Sequence, residues 1–299
     1  MDDLDFSHLA PATPQAPTPA AKPAKAEALP YDPKLAARFF RIAGEEETFE
    51  AGANVFVEQE KATGMFAKRA RMYLLVEGQI ALSLKGKPLY MILPGESFGE
   101  LAIISDAPRS ATATALKKSR VLSLDEKRFL TSLPQEPQFA LQLVSNLAGQ
   151  MRRGVEKLLA AGGGKLVPRL GGSGLNADQM TKLRHTLGDP APTAMKRGET
   201  VVSQGAMGVN MYVVLSGRVT IGVNGRPVEQ IGAGETFGEV AMLGSTARGA
   251  TAMAEEEGTW LPVNRDAFLK IVKAHPTVGV ALLRSMCERI QHLNSQLGG

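Results

Sequence analysis

The heptapeptide Met72-Tyr73-Leu74-Leu75-Val76-Glu77-Gly78 returns as Met211-Tyr212-Val213-Val214-Leu215-Ser216-Gly217, 139 residues later. The same offset carries Gly86 to Gly225, Pro88 to Pro227, Gly95 to Gly234, Phe98 to Phe237, Arg109 to Arg248, Thr112 to Thr251, Phe129 to Phe268 and Pro137 to Pro276. A register held through loops and strands alike requires two copies of one fold. Upstream the offset is 146, from Gly52 to Gly198, so the first copy carries seven extra residues before Met72. They are expected to form a longer loop near Lys61 to Arg71.

Each copy opens on a short helical pattern, residues 33–42 and 177–187, and continues in short apolar, β-branched runs separated by glycine turns. Runs at 76–84 and 89–93 flank Lys85-Gly86-Lys87. Runs at 213–223 and 228–231 flank Asn224-Gly225, the residue pair that favours a two-residue hairpin turn. A helical pattern closes each copy, at 138–161 and 277–297. Short strands at this spacing predict a mainly β fold with flanking helices: two tandem jelly-roll β-barrels, each closed by C-terminal helices. The expected domains are 31–161 and 176–299, joined by a Gly-rich linker at 162–175. Residues 1–30 are rich in Ala, Pro, Thr and Lys, with too little apolar surface to offset ordering entropy, and read as a disordered tail.

Composition narrows the function classes. Formal net charge is +4, below the strong basic patch of a dedicated nucleic-acid binder. The single cysteine, Cys287, excludes an intrachain disulfide and a multi-cysteine metal site. The four histidines, His8, His185, His275 and His292, share no ligand spacing. No catalytic triad, P-loop or metal cluster stands out, so no enzyme activity and no cofactor are expected. No apolar run approaches the ~18 residues of a membrane span, and Met1-Asp2-Asp3 is acidic where a signal peptide is basic. A cytoplasmic location is expected.

The chemistry concentrates in Phe98-Gly99-Glu100-Leu101-Ala102-Ile103-Ile104, followed by Pro108-Arg109-Ser110-Ala111-Thr112, and in its partner Phe237-Gly238-Glu239-Val240-Ala241-Met242-Leu243, followed by Ala247-Arg248-Gly249-Ala250-Thr251. Phe-Gly ends a strand. The following turn of helix points its free N–H groups back toward the glycine, a ready anion site. Nine residues after the Glu comes an Arg, read as starting the next strand, whose planar donor fork suits a phosphate. The Glu cannot bind phosphate, but it can accept from a sugar hydroxyl. Amides, guanidinium and carboxylate together describe a ribose phosphate.

These segments resemble the phosphate-binding cassette of the cyclic-nucleotide-binding domain family, which includes the regulatory subunit of cAMP-dependent protein kinase, cyclic-nucleotide-gated channels and the bacterial catabolite activator protein. The first copy meets the family pattern at every position from Phe98 to Thr112, and the second departs at Ala247, where proline is usual. The resemblance implies cAMP or cGMP as ligand. It implies that Arg109 and Arg248 pair with the cyclic phosphate, and that backbone N–H groups around Gly99 to Ala102 (Gly99, Glu100, Leu101, Ala102), and around Gly238 to Ala241 (Gly238, Glu239, Val240, Ala241), bind the same oxygens. It implies that Glu100 and Glu239 take the ribose 2′-hydroxyl. Ser110 adds a hydroxyl beside phosphate or base, which Gly249 cannot. Two unequal sites are therefore expected.

The implied function is a sensor that passes a ligand-driven helix rearrangement to a separate effector protein, because only two residues follow Leu297 and leave no place for a downstream DNA-binding domain. The alternatives are a scaffold or dimerisation module with degenerate pockets, and a transcriptional regulator without its own helix-turn-helix. Neither a membrane nor a nucleic acid is the expected partner. The stripe Leu283, Met286, Ile290, Leu293 and Leu297 has coiled-coil spacing and is a candidate homodimer seam. In the first copy Gly154 interrupts the matching stripe of Val144, Leu147, Met151 and Leu158. Lys68-Arg69-Ala70-Arg71 and Arg152-Arg153 read as solvated surface.

Overall fold

The computed structural model describes residues 31–60, 70–160, 169–170, 172–244 and 246–297. The tail 1–30 with His8, the insert through Lys68 and Arg69, and most of the expected linker lie outside the described residues.

The first repeat runs α1 (Pro33–Ala43), β1 (Glu45–Phe49), β2 (Asn54–Phe56), β3 (Arg71–Glu77), β4 (Ile80–Leu84), β5 (Lys87–Ile92), β6 (Ser97–Phe98), α2 (Glu100–Ser105), β7 (Thr112–Ala115), β8 (Ser119–Asp125), α3 (Glu126–Ser132) and α4 (Gln138–Ala160). The second runs β9 (Arg169–Leu170), α5 (Ala177–Thr186), β10 (Thr193–Met195), β11 (Thr200–Val202), β12 (Met207–Gly208), β13 (Asn210–Ser216), β14 (Val219–Val223), β15 (Arg226–Ile231), β16 (Thr236–Phe237), a 3-10 turn (Glu239–Leu243), β17 (Thr246–Ala247), β18 (Thr251–Ala254), β19 (Gly258–Asn264), α6 (Arg265–Ala274) and α7 (Pro276–Leu297).

In the first repeat two antiparallel sheets face each other, ordered β1-β8-β3-β6 and β2-β7-β4-β5. Their inner faces meet through Val55, Phe56, Tyr73, Leu75, Ile80, Ile92, Phe98, Ala113 and Val121. The second repeat repeats the plan, with β10-β19-β13-β16 facing β11-β18-β14-β15. Its core is Met195, Val202, Val214, Val219, Ile231, Phe237, Ala252 and Ala254, most of them at the repeat offset from a first-repeat core residue. Burying each large side chain contributes about 1.5–3 kcal/mol, and a one-residue slip would turn the whole set to solvent. The fold is mainly β with flanking helices, as expected. Each jelly roll is a pair of open sheets.

Four local features differ from the sequence reading. The run 76–84 is two strands in two sheets, broken at Gly78. There φ is 105°, and a Cβ would lie 2.3 Å from Ser119 Oγ. Gly217 breaks 213–223 in the same way. Helices α3 and α6 were not anticipated, although Asp125 Oδ1 accepts from Arg128 N and Asn264 Oδ1 accepts from Ala267 N, both as N-caps. Part of the expected linker is a strand: Arg169 and Leu170 pair in parallel with Glu229 and Gln230 on β15. The expected loop residue Arg71 opens β3, where it bridges Glu45 at 2.7 Å and Glu47 at 3.0 Å.

Two compact units divide the chain, and they do not follow the repeat boundary. One comprises Tyr31–Leu158 with Phe268–Gly299, and the other includes Leu159–Ala267. The closing helix of the second repeat, α7, therefore belongs with the first repeat. It packs on α2, where Arg284 Nε donates to Ile104 O at 3.3 Å and Gln291 Nε2 donates to Ser105 Oγ at 3.1 Å. In the same unit Phe39 of α1 stacks on Phe139 of α4, with ring centres 4.0 Å apart.

This arrangement corrects the dimer expectation. Leu283, Met286, Ile290 and Leu293 are buried within the chain itself, and the side chain of Leu297 lies outside the described residues. Leu293 reaches α4 at Gly154, where a Cβ would stand 3.3 Å from its Cδ1. The glycine that interrupts the first stripe is the place where the second stripe packs, so the seam is filled in cis.

Candidate functional site

Both cassettes start where a short inner strand ends. Phe98 pairs with Tyr73 on β3, and Phe237 pairs with Tyr212 on β13. The next residue, Gly99 or Gly238, has φ of 81° or 78°. A Cβ there would meet Arg109 Nη1 at 3.0 Å or Arg248 Nη1 at 2.8 Å. Glycine thus supplies both the left-handed turn and the room for the guanidinium. Helix α2 follows in the first repeat, and the tighter 3-10 turn in the second.

Arg109 and Arg248 precede the strands β7 and β18 by three residues and sit on the connecting segment, so neither starts its strand as the sequence reading had it. Arg109 is held by its backbone: its N–H donates to Glu60 O at 3.0 Å, and its carbonyl accepts from Gln59 N at 2.9 Å. The side chain is 7% exposed. Its Nη1 donates to Gly99 O at 3.1 Å, and its Cζ lies 4.1 Å from the centre of the Phe56 ring. Burial pulls the guanidinium pKa down, opposed by the charges of Tyr73, Glu60 and Glu100.

The second repeat has Val202 where the first has Phe56. Arg248 lies 5.4 Å from the Tyr212 ring centre and is tethered by polar groups. It donates from Nη1 to Gly238 O at 3.1 Å, and from Nη2 to Asn210 O at 2.9 Å and Tyr212 Oη at 3.3 Å.

Glu100 is 6% exposed. Burial pushes its carboxyl above the usual range, while hydrogen bonds from its own backbone and Gln150, and the charge of Arg109, pull the other way. Gln150 Nε2, on α4, donates to Oε1 at 2.6 Å. Among the described residues no ion pair joins Glu100 to Arg109, so neither neutralises the other by direct contact. Glu239 accepts from Thr236 Oγ1 at 2.8 Å.

The structure brings Gly99, Glu100, Leu101, Ala102 and Arg109 into one cluster, with Ser110 half-buried next to the guanidinium. Gly238, Glu239, Val240, Ala241 and Arg248 form the counterpart. Gly249 is exposed, and a Cβ there would meet nothing within 4 Å. Sequence reasoning missed Phe56, Tyr212, Asn210 and Gln150. Each belongs to another element, and only Tyr212, inside the repeated heptapeptide, carried a signal. Among the described residues no His, Cys, Asp and Glu group is arranged to hold a metal ion.

The sequence is similar to known proteins. The family described as "Cyclic nucleotide-binding domain" matches residues 46–135 and 192–275. The cAMP-dependent protein kinase regulatory subunit of Yarrowia lipolytica is 29% identical over 202 residues, covering 67% of this chain and 48% of the relative. A cGMP-dependent protein kinase of Drosophila melanogaster is 24% identical over 209 residues, covering 67% of this chain and 17% of the relative. The chain thus spans less than half the length of these two relatives. A structure of the regulatory domain of Toxoplasma gondii PKA with cAMP is 21% identical, covering 86% of this chain and 87% of that one, with a TM-score of 0.29. Among the described residues no helix is long and apolar enough to cross a membrane.

Proposed function

The chain belongs to the cyclic nucleotide-binding domain family, and on that premise we propose that it is a non-catalytic sensor of cAMP or cGMP that signals to a separate effector protein. The observation that carries this reading is the repeated pairing of a buried or half-buried arginine with the carbonyl of a left-handed glycine, one residue before a carboxylate. Arg109 and Arg248 take the cyclic phosphate, aided by N–H groups of the cassette turns, since a guanidinium fork matches two phosphate oxygens. Glu100 and Glu239 take the ribose 2′-hydroxyl.

The relatives named as kinase regulatory subunits support a protein effector, with a kinase as the first candidate. A signal needs a ligand with different affinity for two arrangements of the helices. Helices α4 and α7 are suited to carry it, because one reaches Glu100 and the other packs on α2.

Calorimetry with cAMP, cGMP and cyclic dinucleotides tests the reading. Binding of a cyclic mononucleotide is expected, with thermal stabilisation of about 2.7 kcal/mol at a hundredfold excess over the dissociation constant. Absence of binding and of any melting shift at millimolar ligand would overturn it.

A further inference from the structure

The carboxylate assigned to the ribose is already engaged by a side chain of this protein. Gln150 Nε2 reaches Glu100 Oε1 at 2.6 Å from 50 positions along the chain. Glu100 is buried in the first turn of α2 and bonds its own backbone N–H as well. Gln150 thus holds Oε1 of an enclosed carboxylate, and a further donor that arrives at that oxygen competes with its amide. The other cassette carboxylate, Glu239, accepts from Thr236, three residues back on β16.

We infer that Gln150 is a specificity-determining residue of the first site, whose amide stands in for the ribose 2′-hydroxyl. The inference rests on the cyclic-nucleotide reading of the cassette. A ribonucleotide that donates its 2′-hydroxyl to Glu100 Oε1 exchanges one hydrogen bond for another and releases Gln150, and with it this tie between α4 and the cassette. A 2′-deoxy ligand has no donor for that exchange and leaves the Gln150 bond in place. The amide thereby discounts the affinity for a ribonucleotide and converts its hydroxyl into a pull on α4.

The test compares cAMP with 2′-deoxy-cAMP by calorimetry on Arg248→Ala protein, in which the second site is silenced. Adding Gln150→Ala should tighten cAMP about tenfold, the worth of one hydrogen bond to a charged group, and leave 2′-deoxy-cAMP within about twofold. Gln150→Leu, which fills the space without a donor, should follow the alanine variant. Hydrogen exchange should show α4 loosening with cAMP and not with the deoxy ligand. A merely structural role for Gln150 shifts both nucleotides alike. That result, or no shift in either, overturns the inference while the sensor reading stands. If the wild-type chain binds neither nucleotide, the sensor reading itself falls.

Discussion

In the first repeat Arg109 lies against the Phe56 ring, and its side chain donates only to Gly99 O among the described residues; in the second, valine replaces that phenylalanine and Arg248 is bound by three acceptors. Aromatic contact orients a cation without occupying its N–H groups, and contributes about 0.5–2 kcal/mol. Polar tethers orient it by occupying those groups, and a phosphate must displace some of them. The carboxylates differ too: Glu100 accepts from Gln150 on the long helix α4, and Glu239 accepts from Thr236 on β16. Two cassettes of nearly the same sequence thus differ in what binding must break, because the residues around them come from elements outside the cassette.

The coarsest way to break this comparison is to remove each arginine in turn. Arg109→Ala and Arg248→Ala should each cost about 2–5 kcal/mol at their own site, the penalty of truncating one partner of a buried charge pair. That is roughly thirty- to several-thousandfold in affinity. The fold should survive, with the melting temperature without ligand lowered by about a few degrees for the lost side-chain contacts. Isothermal calorimetry reads both constants, and a variant that keeps wild-type affinity at the altered site sinks the phosphate assignment.

Glu100→Gln separates binding from stability. It should weaken cAMP at the first site about ten- to hundredfold by removing a charged acceptor. Its effect on stability has the opposite sign. Burial holds Glu100 above the usual carboxylate range, so the folded protein takes up a proton at a pH where the unfolded chain has not. Ionised Glu100 costs stability near neutrality, and the cost is relieved as pH falls toward the unfolded carboxylate value. The glutamine variant should therefore melt above the wild type near neutral pH, with the gap narrowing on acidification. A gap that widens instead refutes the buried-charge account.

The ranking of the sites follows. The first should be tighter by about one to two decades, because Ser110 adds a hydroxyl and Arg109 has fewer bonds to surrender. Calorimetry on the two arginine variants leaves one site readable in each. Equal or reversed affinities would mean that contacts to the base outweigh the cassette. The smallest effect is expected from Gly249→Ser. A Cβ fits there freely, and one added hydrogen bond should tighten the second site about three- to tenfold. No change would show that the hydroxyl after the arginine does not reach the ligand.

The repeat offset made most of the fold legible, down to core pairs such as Leu75 with Val214 and Phe98 with Phe237. The break at Gly78 was hidden, because an apolar run reads the same whether it stays in one sheet or crosses to the other. Helices α3 and α6 carried cap signals at Asp125 and Asn264 that a search for apolar periodicity passes over. The stripe on α7 was read correctly as an apolar face and wrongly as a dimer seam. Periodicity reveals that a face is covered, never what covers it. In the site, Gly, Glu and Arg lay within one short segment and were readable. Phe56 and Gln150 sit on distant elements, and nothing local marks them.

The placement of α7 has a consequence for how the protein is made. Its Arg284 meets a carbonyl 180 residues earlier, and its Gln291 a hydroxyl 186 residues earlier. At roughly 5–20 residues per second, α7 leaves the ribosome on the order of ten seconds after α4. The first repeat must wait through that interval with α2 uncovered while the whole second jelly roll is synthesised. Its maturation is therefore tied to translation of its neighbour, and a chain stopped before Pro276 would leave the earlier repeat, rather than the later one, without the helix that packs on α2.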